Sequence, residues 1–503
     1  MKGAFRSAFI ITLFTLAGQL VLFVSQIISA AIFGAGSDMD AFLAANTLPQ
    51  YIITVLLGSL GFVFIPVFID YKVKGKEDQA YGLAVRLFNT CILVLGIITI
   101  LGIIFAEPLL QLTAPGLSPH SKEIAVRVAI ITWPTILATG AFGLLSSIYQ
   151  AEKRFNWQAG VPLIGAVVNL TLLLLLARWL GVIGLAIAAS SSIIIQVFLL
   201  LKILIVPGRY KFALNWKDPG LVQVFRLALP LITVAFLTKF TPIIDRFLAS
   251  GLKEGSISHL NYAFKIASVA AALISMGGAT VIFPKMSLDV SNNDLNELRR
   301  TMSFGLRIMW LIIAPIVTIG FSLALPMIIV LLKHGEFTYD DSVIVSDILK
   351  IYLIALISMC LGSITGKGFY ALKDTKTIAV FGIIESFAYA IYTIYLAQWL
   401  GVIGIAIGYA IYFNVSLIWQ LLILNNRTGK KGDYLIVKSF SKTIFAALAG
   451  GAFSYLITVF ISMPMIQLIA GGIIGLVVYL TALLLIGSEE LKIIRDMVSS
   501  KKI

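Results

Sequence analysis

Charge is scarce in this sequence. Only 12% of its 503 residues are Asp, Glu, Lys or Arg, about half of what a soluble domain carries. A surface facing water cannot be covered with so few charges, which excludes an ordinary soluble fold. Cysteine is nearly absent. Cys91 and Cys360 both sit in apolar runs, so neither a disulfide framework nor a thiolate metal cluster is expected. The three histidines, His120, His259 and His334, fall in segments predicted as outer loops. No Walker A sequence, no HExxH and no His-rich ligand set occurs. No catalytic residues, metal site or bound cofactor are therefore expected, and the chain is not read as an enzyme. Without a nucleotide site, active transport would draw on a coupling cation, the membrane potential or the substrate's own gradient.

Apolar residues are abundant. They make up 59% of the chain, and the mean hydropathy is +1.00. About 20 apolar residues cross a bilayer as a helix. Runs of that kind lie near 8–33, 49–69, 83–106, 125–149, 159–178, 181–205, 226–249, 260–284, 304–332, 342–369, 377–399, 401–424, 439–462 and 464–487. The expected fold is all-α and integral to the membrane, with about fourteen transmembrane helices. The basic, apolar N-terminal stretch runs on to about Ile32 without an obvious cleavage site, so it reads as a retained first helix. Basic residues collect in alternate loops, among them Lys72, Lys74, Lys76, Lys153, Arg154, Lys367, Lys373, Lys376, Lys430 and Lys431. The opposite loops are short or acidic, with Asp38, Glu107, Glu336 and Asp340. The positive-inside rule then places both termini in the cytoplasm. The net charge of +14 is topological on this reading, and no nucleic-acid partner is expected.

An internal repeat organises the chain. ARWLGVIGLAI at 177–187 recurs as AQWLGVIGIAI at 397–407. At a similar offset YQAEKR (149–154) aligns with YALKDT (370–375), and FIP (64–66) with IFP (282–284). This predicts two parallel six-helix lobes, 1–215 (helices 1–6) and 216–427 (helices 7–12), followed by 428–503 with two C-terminal helices and a cytoplasmic tail.

Ionisable residues at membrane depth are costly and tend to line interior cavities. Lys239 is expected well inside helix 7, Lys265 near the outer end of helix 8, and Asp245 and Arg246 at the outer end of helix 7. Asp347 and Lys350 are spaced to satisfy each other. Glu385 lies near the middle of helix 11. Lys239 and Lys265, with Arg246 in support, suit an anionic group such as a phosphate. Glu385 and Asp245 are candidates for coupling to an ion.

Several motifs in order carry a family resemblance: IFGAGSDMDAF (32–42), Leu48-Pro49, FIP (64–66), APG (114–116), DRFLAS (245–250), SISHLNYA (256–263), Phe283-Pro284, HGEFT (334–338) and GFYALKDTK (368–376). Together they resemble the MurJ/MviN lipid II flippases of the multidrug/oligosaccharidyl-lipid/polysaccharide (MOP) exporter superfamily. The resemblance implies two six-helix lobes, two C-terminal helices lining a lipid-tail groove, a bacterial inner-membrane location, and a polyprenyl-pyrophosphate-linked glycan as substrate. Membrane lipids and, as candidates, glycan synthases are the implied partners. Family members typically carry arginines in helix 1, where this chain has Gln19, Ser25 and Gln26. Later basic and acidic positions are taken by Ile53, Thr54 and Gly58. The helix 8 arginine appears as Lys265, and a nearby acidic position as Ser268. Gln19 and Ser25 thus take over substrate-facing positions, and Asp40 is retained as a gating residue. Two other readings stay open: a MATE-like cation-coupled exporter of small organic molecules, and a non-transporting scaffold for glycan synthesis.

Overall fold

The long apolar runs fold into seventeen α-helices, and no strand occurs among the described residues. The structure, a computed structural model, describes residues 2–205, 210, 212–429 and 434–491. Lys430, Lys431 and the basic tail beyond 491 lie outside the described residues. In chain order the helices are α1 (Lys2–Phe33), α2 (Ser37–Val73), α3 (Glu77–Ile104), α4 (Ala106–Thr113), α5 (Pro119–Thr132), α6 (Pro134–Ala151), α7 (Phe155–Leu180), α8 (Val182–Ile205), α9 (Pro219–Thr238), α10 (Thr241–Ser250), α11 (Ser256–Ser291), α12 (Leu295–Ser322), α13 (Ala324–Leu332), α14 (Tyr339–Ala371), α15 (Thr375–Thr428), α16 (Tyr434–Phe460) and α17 (Pro464–Ile486).

Eleven segments among the residues searched are long and apolar enough to cross a membrane. One of them, α15, breaks at Gly401 (φ +59°) into two helices. The 37-residue α2 and 36-residue α11 also exceed the roughly 20 residues that a crossing needs. Many large apolar side chains point outward, including Leu485 at 88% exposure. A multi-pass membrane protein has this surface, because lipid solvates such faces as well as a core does.

The chain forms two compact units. The first is 1–258 with 334–337, and the second is 259–333 with 338–503. In the first, α1 packs along α7, and α2 packs on α5, α6 and α9. Its core stacks Phe64, Phe68 and Tyr81, with Phe68 and Tyr81 edge to face at 5.5 Å. In the second, α12 and α15 flank α14, and the α16–α17 hairpin lies against α12.

Predicted helix 7 is not continuous. It breaks between α9 and α10 at Lys239 and Phe240, because Pro242 supplies no N–H and in a continuous helix its ring would clash with the carbonyl four residues earlier, that of Thr238. Lys239 therefore caps a helix end instead of lying inside a helix. His259 is also not in a loop. It lies in the first turn of α11, 5% exposed, with its Nε2 2.8 Å from Asp341 Oδ1.

Turn geometry repeats along with the sequence. At the end rich in basic loops, helices are joined by short turns whose middle residue has positive φ: Gly75 (+73°), Lys153 (+56°), Asn293 (+56°) and Lys373 (+58°). Each turn uses the same three backbone hydrogen bonds. In the third, Asn292, Asn293 and Asp294 donate to Leu288, Val290 and Asp289. In the fourth, Leu372, Lys373 and Asp374 donate to Gly368, Tyr370 and Phe369. At the opposite end, Gly181 (+57°) and Gly401 (+59°) turn the two copies of the repeated motif. Trp179 and Trp399 beside them are 87% and 84% exposed, a placement suited to an aromatic belt.

The two C-terminal helices are fastened to α12. Arg307 Nε donates to Glu490 Oε1 at 2.6 Å, and both residues are buried. Trp310 donates to the Phe440 carbonyl and stacks on its ring at 4.8 Å. Ser322 donates to the Gly451 carbonyl, and Tyr479 to that of Leu311. Burial alone would raise the pKa of Glu490. Hydrogen bonds from its own backbone N–H, Ser488 and Arg307 outweigh burial and hold the carboxyl below its ordinary range.

Candidate functional site

The first unit is clasped at the end carrying the acidic loops, and motif residues make the clasp. Asp40 sits in the first turn of α2 and is 5% exposed. Its Oδ2 accepts from Gly255 N at 2.8 Å. Its Oδ1 accepts from Ser258 N at 2.8 Å and Ser258 Oγ at 2.6 Å. The first N–H groups of a helix have no partner within it, and a carboxylate meets both that need and the helix dipole. Asp40 is thus the cap of α11, supplied from a remote part of the chain. Arg246 holds the same segment by donating to the Ile257 carbonyl at 3.0 Å.

Backbone contacts complete the clasp. Glu336 N donates to Ala31 O at 2.9 Å. A Cβ on Gly335 would lie 2.1 Å from that same oxygen, and one on Gly34 would lie 2.7 Å from Glu336 O. Gly116 N donates to Ser250 Oγ at 3.2 Å, and a Cβ there would come within 2.4 Å of Ser250 O. Tyr51 reaches from α2 to the Phe236 carbonyl of α9 at 2.6 Å. The glycines of IFGAGSDMDAF, APG and HGEFT therefore serve close approach between segments. The motifs do not show this role in the sequence, because nothing local encodes which segment lies against which.

The predicted site residues are distributed as follows. Gln19 is exposed on α1, whereas Ser25 is buried and donates to the Val21 carbonyl of its own helix. The Gln26 amide nitrogen is buried without a hydrogen-bond partner. Lys239 is exposed at the break between α9 and α10, and Lys265 is exposed on α11. Asp245 and Arg246 are half-buried neighbours on α10. Arg246, expected to help hold an anion, is engaged with the backbone. Lys350 pairs with Asp347 at 2.8 Å, as their spacing predicts.

Glu385 is one of the buried carboxylates of the second unit, with Asp289 and Glu490. Its Oε1 accepts from Trp419 Nε1, and the indole stacks on Phe381 at 4.7 Å. Nearby, Thr365 donates to Gln420 Oε1 at 2.5 Å and Gln420 donates to Ser416 Oγ at 3.1 Å. Ser358 donates to Asn414 Oδ1 at 2.9 Å. A polar seam thus joins α14 to α15 inside an apolar bundle. Among the described residues no group of three or more His, Cys, Asp or Glu could hold a metal ion.

Comparison with known proteins agrees with this architecture. The family model described as lipid II flippase MurJ matches residues 29–471. A probable lipid II flippase MurJ of Vibrio cholerae is 27% identical, covering 84% of this chain and 83% of its own length. The lipid II flippase MurJ of Burkholderia cenocepacia is 25% identical, with 74% of each chain covered. A solved structure of a lipid II flippase MurJ in an inward closed conformation superposes with a TM-score of 0.81 at 23% identity, over 94% of this chain and 98% of that one. An inward-facing MATE transporter of the MOP superfamily gives 0.70 at 17% identity, over 83% and 94%. The match to the family model spans both halves of the repeat and takes in every clasp motif, and the chain belongs to the lipid II flippase MurJ family.

Proposed function

We propose that this protein moves a polyprenyl-pyrophosphate-linked glycan, lipid II in its named relatives, from the inner to the outer leaflet by alternating access. The family match over 29–471 carries this reading. On this reading the clasp around Asp40 would open for substrate to leave at the outer end. The chain would cross the inner membrane fourteen times with both termini in the cytoplasm. Its lobes would be 1–215 and 216–427, followed by the helix pair and tail of 428–503.

Lys265, with Lys239, would meet the pyrophosphate. Gln19 and Ser25 would add only neutral hydrogen bonds, which are roughly half as strong as charge-assisted ones. Glu385 and Asp245 would couple transport to a cation or to the membrane potential. The test is complementation of a strain depleted of its lipid II flippase. Lys265→Ala should abolish rescue, Lys265→Arg should keep part of it, and Gln19→Ala should be much milder. Normal rescue by Lys265→Ala would leave the pyrophosphate-cavity reading without support, and failure of the wild-type chain to rescue would favour export of small molecules or a scaffold.

A further inference from the structure

We infer that Lys367 is a binding residue for the phosphate groups of the substrate, at the end of α14 where the basic turns lie; this rests on the function proposed above. Its position near a helix end reads in sequence as a topological charge. The structure separates it from that class. Among the described residues, the other Lys and Arg side chains that are buried or half-buried each have an oxygen partner. Lys72, Arg86, Lys122, Arg307, Lys350 and Lys438 pair with carboxylates. Arg246, Arg299 and Lys442 donate to backbone carbonyls. Lys367 is half-buried and has neither; its ammonium lies over the Phe283 ring, 5.9 Å from the centroid.

An aromatic face attracts an ammonium but leaves its N–H groups without acceptors. A partly desolvated cation in that setting gains from an anion more than an exposed one does, because the local dielectric is lower. Space for the anion is present on the same helix. Gly362 and Gly366 are one turn apart, and among the described residues a Cβ at either would meet nothing within 4 Å. The α14 backbone is therefore open on the face adjoining the lysine's, roughly 100–140° around the helix from it.

Phe283 and Lys265 are both on α11 and are 18 residues apart. At 3.6 residues per turn this returns them to the same face, about 27 Å apart along the axis. One face of α11 thus has a cation at each end, Lys265 in its own sequence and Lys367 docked on Phe283. A diphosphate entering from the basic end would meet Lys367 first and Lys265 later.

The test compares wild type, Lys367→Gln and Lys367→Arg, purified and monodisperse in zwitterionic lipid nanodiscs. The probe is a long-chain polyprenyl diphosphate, with phosphatidylglycerol as a separate arm. Lys367→Gln should weaken diphosphate binding about tenfold or more, the scale of one lost charge-assisted contact. Lys367→Arg should restore most of it, and complementation should follow the same order. Unchanged diphosphate binding in Lys367→Gln, or a loss confined to phosphatidylglycerol, would overturn the inference. Lys265→Ala run in parallel separates the two readings. If it fails while Lys367→Gln is normal, only this inference falls. If both are normal, the proposed role of Lys265 falls with it, and if the wild type neither binds the diphosphate nor rescues, the proposed function falls.

Discussion

At the scale of single residues, the informative side chains are the polar ones whose partners come from distant sequence. Asp40 accepts three hydrogen bonds with both oxygens while buried. Asp40→Asn turns one acceptor into a donor facing an N–H, which should cost about 1–3 kcal/mol in the clasped state. Turnover should fall several-fold with little change in substrate affinity, as read by complementation and by polyprenyl diphosphate binding. A matching loss of affinity would place Asp40 in the binding site instead. Sequence marked Lys265 and Glu385 because charge at membrane depth is rare, and Asp40 because the family resemblance retains it. It could not separate Arg246, engaged with a carbonyl, from a free cation, or Lys367 from the basic residues of the loops. Those distinctions depend on which atoms lie within about 3 Å, and residue type does not encode that.

Among the elements, the glycines of the clasp and the helix pair at the C-terminus make the sharpest predictions. Gly335→Ala would put a methyl group 2.1 Å from the Ala31 carbonyl oxygen, a clash between backbones that no rotamer relieves. Cysteine labelling at Ser258 should then rise from the protected level to that of an exposed site, and rescue should drop; protection equal to wild type would show that the clasp absorbs the methyl. The α16–α17 hairpin depends on Arg307 and Glu490. Arg307→Met strands a buried carboxylate and should cost about 3–5 kcal/mol, seen as a lower unfolding temperature in detergent. Glu490 is depressed in the folded state, so its contribution is complete above the ordinary carboxylate pKa of about 4.3 and is lost as pH falls through the lower folded value. Glu490→Gln should flatten the acid limb of the stability curve, and an unchanged limb would assign it to other carboxylates. Long apolar runs and the repeat made most helices legible. The break at Lys239 was less so, because Pro242 is as compatible with a kinked continuous helix as with two helices.

For the whole molecule, the repeat read from sequence reappears in the turns. Gly75 and Asn293, Lys153 and Lys373, and Gly181 and Gly401 form three matched pairs, each taking positive φ at nearly the same offset. Lys153 and Lys373 hold a conformation that costs a non-glycine residue roughly 1–2 kcal/mol, so the turn is kept against local preference. The proposed topology follows from these alternating ends. Cysteines at Ser118 and Thr338 should label from outside intact cells, whereas one at Lys74 should label only after permeabilisation; labelling of Lys74 from outside would reverse the orientation.

The clasp also bears on how the chain is made. Each three-residue turn closes a hairpin between neighbouring helices, so those pairs can form soon after both arms have left the ribosome. The donors that bind both Asp40 carboxylate oxygens come from far along the chain. They lie 215 and 218 positions later, and Ala31 waits still longer for Glu336. Early in synthesis, the carboxylate that will cap α11 is therefore left to water at the membrane surface, and α2 reaches its final packing only when the second half of the protein brings the N–H and O–H donors of Gly255 and Ser258.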